Sequence, residues 1–85
     1  MIIEMEVPNY SRDHGLQMKW ENGAIIEARI EGNSTVIQAN KPGLISLARL
    51  LLTLVNDEVP KGHHWHLDES NALEEGSQGL IIEKI

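Results

Sequence analysis

Three side chains able to bind a metal or move a proton alternate along His64-Trp65-His66-Leu67-Asp68. On an extended strand, residues two apart share a face, so His64, His66 and Asp68 point one way and Trp65 and Leu67 the other. Zinc accepts imidazole nitrogen and carboxylate oxygen, which makes this trio a candidate ligand set. A catalytic zinc needs several protein ligands plus an open position, and outside the His63–His66 cluster the only further histidine is His14. The ordinary alternative is a polar strand face whose imidazoles bond to neighbours or water, and the expectation is no metal and no cofactor. Covalent catalysis has less to work with. The chain has no cysteine, and Ser11, Ser34, Ser46, Ser70 and Ser77 sit in no recognisable activating context. Gly76-Ser77 is a turn signal and not a phosphate cradle, because no Gly-rich loop opens a helix with a lysine. The residue types predict a binding protein, not an enzyme.

Charge narrows the kind of partner. Of the formal net charge of −6, five units lie between Asp57 and Glu75, where six acids face the single base Lys61. Nucleic-acid binding requires a basic surface that releases counterions, and an anionic membrane repels the same acids. A basic protein is favoured, and the attraction speeds encounter more than it deepens affinity. Within the acidic window, Asp68, Glu69, Glu74 and Glu75 surround Leu73, a candidate apolar anchor for a partner. These five residues are the expected partner-binding surface, and reversing the four charges together is expected to leave the thermal midpoint nearly unchanged. The alternative is a solvated loop with Leu73 folded back onto the core.

The elements that must position these residues follow from periodicity. Ile3, Met5 and Val7 alternate with Glu4 and Glu6, and Leu16, Met18 and Trp20 alternate with Gln17 and Lys19, predicting two half-buried strands. Asn22-Gly23 suits a hairpin into a third strand over 24–31, and Gly32-Asn33 turns into a fourth over 35–39. The period then becomes helical. Asn40 can cap a helix with Pro42 in its first turn, and Leu44, Leu47, Ala48, Leu51 and Val55 mark its apolar side. Ser46, Arg49, Thr53 and Asn56 mark the other side. The apolar arc of helix 42–56 is wide, roughly 220° against the usual stripe of at least about 100°. Loops and strand edges can cover the excess, or the face can serve a homodimer. Strands over 63–67 and 80–84 complete the order ββββαββ. The expected fold class is α+β: an antiparallel sheet of about six strands with one helix packed on one face. Residues 1–85 are expected to form a single domain. The start of the chain, MIIEMEVP, lacks the basic beginning and long apolar stretch of a signal peptide. No run is long enough to cross a bilayer, so a soluble cytoplasmic protein is expected.

Several segments carry a family likeness. They are the stretch from Asn40-Lys41-Pro42-Gly43-Leu44 to Leu54, Val59-Pro60-Lys61-Gly62-His63-His64-Trp65-His66-Leu67-Asp68, Leu73-Glu74-Glu75-Gly76-Ser77, and Leu80-Ile81-Ile82-Glu83-Lys84. In this order they make residues 37–84 resemble family thirty-two of the bacterial immunity proteins of polymorphic toxin systems. The resemblance implies a protein that neutralises a cognate toxin by stoichiometric binding. Toxins that act on nucleic acid are commonly basic, which suits an acidic inhibitor. The competing readings are a small metal-binding module or metal-dependent enzyme built on His64, His66 and Asp68, and a self-associating structural domain.

Overall fold

The computed structural model describes residues 1–85 and contains one helix and four strands. In chain order they are β1 (Ile26–Glu31), β2 (Ser34–Ala39), α1 (Lys41–Val55), β3 (His64–Leu67) and β4 (Leu80–Glu83). β1 and β2 form an antiparallel hairpin, paired from Ile26↔Ala39 to Glu31↔Ser34. β3 and β4 form a second, paired from His64↔Glu83 to Leu67↔Leu80. The α+β class and the single helix are as the sequence predicts. The sheet is not: there are four strands in two separate two-stranded sheets, instead of about six in one.

The two strands expected near the N-terminus do not form, and for the second of them the reason lies in β1. A strand over 16–20 would need the outer edge of β1, but residues 74–78 already hold it. Glu74 N–H donates to Ile26 O at 2.8 Å and Gln78 N–H to Ala28 O at 2.7 Å. Residues 1–25 contain no ladder, only an isolated bridge between Ser11 and Gly15. The alternation itself is real: Leu16, Met18 and Trp20 are half-buried while Gln17 and Lys19 are exposed. It reports burial of one face without strand pairing. The segment is tethered to the helix instead. Arg49 pairs with the Glu21 carboxylate at 2.6 Å and donates to Glu6 O at 3.2 Å, and Glu21 N–H donates to Ser46 Oγ.

Asn40 and Gly43 fix the start of α1. The Asn40 side-chain oxygen accepts from Gly43 N–H at 2.9 Å and from Ile25 N–H at 3.0 Å, while its Nδ2 donates to Gly23 O. One cap thus joins the helix, β1 and the preceding turn. Gly43 packs so closely that a Cβ there would lie 2.5 Å from Ile25 O, so the helix start requires glycine for lack of space. At the other end, Lys84 Nζ donates to Asn56 O at 2.8 Å and Val59 O at 3.0 Å, placing a cation where a helix end favours one.

The orientation of α1 differs from expectation. Gly43, Ser46, Leu50, Thr53 and Leu54 are buried, whereas Leu44, Leu51 and Val55 are 56, 48 and 66% exposed. Small hydroxyls suit the inward face because their polarity is satisfied locally: Ser46 Oγ donates to Pro42 O and Thr53 Oγ1 to Arg49 O. Their size lets the N-terminal segment and the sheets approach. Leu50 and Leu54 meet Ile26, Ala28, Trp65 and Leu67 in the core. Trp65 also donates its Nε1–H to Leu50 O at 2.8 Å, so the largest core side chain is satisfied as it is buried. No helix is long and apolar enough to cross a membrane.

Candidate functional site

The loop between β3 and β4 is ordered by its own polar side chains. Asp68 N–H donates to Asn71 Oδ1 at 2.9 Å, and Asn71 Nδ2 donates back to His66 O at 2.7 Å. The Asp68 carboxylate accepts from the Ser70 N–H at 2.9 Å and the Ser70 hydroxyl at 2.5 Å. The carbonyl of Asp68 receives the N–H groups of Ala72 and Leu73. This turn is the Asx type, in which a short acid folds the chain over itself. The bond to the Ser70 hydroxyl, then that to the Ser70 N–H, holds the Asp68 carboxyl below its ordinary value of 3.8, and His66 adds to the lowering.

Beyond the turn the loop is stitched to the core and to β1. Leu73 is 5% exposed and lies in the core cluster. The expectation that it anchors a partner is corrected: it anchors the loop. From Glu74 to Gln78 the chain runs along β1 through the two main-chain bonds already described, and Ser77 Oγ accepts from Ala28 N–H at 3.2 Å. Gly76, at φ +86°, makes the bend, and its N–H donates to the Glu69 carboxylate at 2.9 Å.

The expected site residues therefore divide. Asp68 and Glu69 use their carboxylates to hold the loop, so reversing their charges removes these bonds as well as the charge, and a lowered thermal midpoint is expected in place of an unchanged one. Glu74 and Glu75 are exposed, and neither carboxylate makes an ion pair or hydrogen bond within the chain. The main chain of Glu74 is bonded on both sides, its N–H donating to Ile26 O and its carbonyl accepting from Ser77 N–H, and Glu75 lies within that turn, while both charges stay free. Asn71, which sequence reasoning did not single out, and Ser77, read there only as part of a turn, do much of the fixing. Asn71 had a readable signal in Asp68-x-Ser70-Asn71, a run of turn-forming side chains; Ser77 had none beyond its place after a glycine.

The histidine face is open and polar. His64 and His66 are exposed, with Glu83 and Ile81 opposite them on β4, and Ile81 is 63% exposed. His66 Nε2 lies 4.0 Å from Asp68 Oδ2, and His64 Nδ1 lies 3.3 Å from Gly62 O. No three of the histidine and acidic side chains converge as a metal-holding group. His63 turns inward, half-buried, with its ring edge-on to Tyr10 at 5.7 Å.

A family model described as Immunity protein 32 matches residues 34–85. That span runs from the first residue of β2 through the whole acidic loop to the end of the chain. No curated protein and no solved structure matches the chain.

Proposed function

We propose that this chain, which belongs to the immunity protein 32 family, neutralises a cognate toxin by stoichiometric binding in the cytoplasm. Residues 1–85 act as one domain in this reading, and the protein catalyses nothing. The toxin is basic, and the surface that receives it is the acidic loop, with Glu74 and Glu75 as the contacting charges. Asp68, Glu69 and Leu73 hold that loop in place. The observation that carries the reading is the contrast between a pinned backbone and free carboxylates. A loop fixed at Leu73 and along β1 loses little further conformational freedom on binding, which removes part of the usual cost of association. Carboxylates without internal partners are available to Arg or Lys that would otherwise grip phosphate.

The test is the rate of association with the cognate toxin across a salt series, for wild type and for the Glu74→Lys, Glu75→Lys double variant. The variant should associate more slowly, on the order of tenfold at low salt, with a shallower salt dependence. Its thermal midpoint should stay close to wild type, because neither carboxylate bonds within the chain. Equal rates and equal salt slopes would place the binding face elsewhere, first on the His64 and His66 side of the β3–β4 hairpin.

A further inference from the structure

The β1–β2 sheet has one closed edge and one open edge. Ile26 and Ala28 direct their outward main-chain groups at the loop, where Glu74, Ser77 and Gln78 meet them. Strand alternation then turns the groups of Glu27, Arg29 and Glu31 toward β2, opposite Gln38, Val36 and Ser34. On β2 the N–H and C=O groups of Thr35 and Ile37 are left pointing away from β1, and no other segment of the chain bonds to them.

Open edges are usually protected by charge, proline, a bulge or a covering segment. β2 reads Ser34-Thr35-Val36-Ile37-Gln38-Ala39, with no charged residue and no proline. Ile37 is 46% exposed, and Ile30, on the same face of the hairpin, is 60% exposed. Charge identifies what suits this edge. β2 itself is uncharged, and the hairpin Ile26–Ala39 holds Glu27 and Glu31 against Arg29, a net charge of −1 in a chain of −6. A basic partner is drawn to the acidic loop, whereas the neutral edge is where two copies of an acidic protein can meet with least repulsion.

We propose that the open edge of β2 pairs antiparallel with β2 of a second copy of this chain. A two-fold axis at Val36 sets Thr35 of one copy opposite Ile37 of the other, twice over. The outward groups of these residues then complete four main-chain hydrogen bonds in a self-complementary contact. The product is a four-stranded sheet, β1–β2–β2–β1, with an acidic loop along each far edge. Five strand spacings of about 4.8 Å separate those loops by about 24 Å. Both stay exposed, so the pairing holds whether or not the loop binds a toxin.

The experiment is sedimentation equilibrium of the full chain over a concentration series, with amide exchange read in parallel. The mass should rise with concentration from 9.5 kDa toward twice that value, and the Thr35 and Ile37 amides should become protected over the same range. Thr35→Pro removes an outward N–H while sparing the bonds to β1, and Ile37→Lys puts a charge on the edge. Each should weaken pairing by at least about tenfold, equivalent to about 1.4 kcal/mol, while circular dichroism shows a folded chain. If one variant fails to fold, the other carries the test. A chain that stays monomeric throughout overturns the proposal. So does a dimer indifferent to both substitutions, which would use the exposed Leu44, Leu51 and Val55 side of α1. Protection of the two amides only on adding a different protein would assign the edge to that protein and also overturn it.

Discussion

Replacing Gly43 with alanine sets two physical effects of opposite sign against each other. Alanine is the better helix former by about 0.8–1.0 kcal/mol, so propensity alone predicts a more stable protein. The structure predicts the reverse. The added methyl would lie 2.5 Å from Ile25 O, 3.0 Å from Asn40 Oδ1 and 3.1 Å from Ile26 Cγ1. The first of these is backbone, held by Asn40 N–H at 3.1 Å, so it cannot swing aside. Making room means moving the first turn of α1 away from β1 and stretching the Asn40 cap. Forced overpacking costs about 1–3 kcal/mol and a weakened cap about 1 kcal/mol. Less the propensity gain, the net loss is about 2 kcal/mol. For a domain of this size that lowers the thermal midpoint by about 8–16 °C. Urea and thermal unfolding of the purified variant measure it directly. A Gly43→Ala protein as stable as wild type, or more so, would refute the argument from space.

Two further outcomes follow from the ends of α1 and the acidic turn. Lys84→Met removes the ammonium from the carbonyls of Asn56 and Val59; with charge-assisted bonds worth about 1.5–3 kcal/mol, urea unfolding should show a loss of about 2 kcal/mol, and a loss under about 0.5 kcal/mol would mean water replaces the lysine there. For Asp68, whose folded-state pKa is lowered chiefly by the Ser70 hydroxyl, the ionised form is the one the fold favours. Its contribution is fully present above the unfolded-state value and disappears as pH falls through the folded-state value. The stability gap between wild type and Asp68→Asn should therefore narrow in acid, below about pH 4, and a gap independent of pH would remove Asp68 from the turn's support.

Local chemistry was legible in the sequence, and long-range pairing was not. The helix is found at Lys41–Val55, one residue from its expected bounds, because Asn40, Pro42 and a helical period all act within a few residues of one another. The Gly32-Asn33 turn and the two flanking strands were readable for the same reason. What failed was the inference from alternation to pairing. Leu16, Met18 and Trp20 alternate because one side of their segment rests on the body of the protein, and period two cannot say whether a neighbouring strand is present. The competitor for the edge of β1 lies about fifty residues away, in a loop with no strand pattern. The orientation of α1 failed differently. Hydrophobicity placed Leu44, Leu51 and Val55 inward, whereas close approach favoured Ser46 and Thr53, whose hydroxyls bond to their own helix. In the acidic segment, composition located the charges but could not separate Asp68 and Glu69, which bond to the loop, from Glu74 and Glu75, which do not.

The contact between Ala28 N–H and the Ser77 hydroxyl spans 49 residues, and that distance along the chain sets an order of events. β1, β2 and α1 lie together within residues 26–55 and can assemble from local contacts, which form early and quickly. The acidic loop can dock on β1 only after residues 74–78 have been made, well after β1, β2 and α1. Synthesis proceeds from the N-terminus, so the loop's final shape follows that of the helix and first hairpin. A newly made chain thus acquires its helix and first hairpin before it can present Glu74 and Glu75 in their fixed positions.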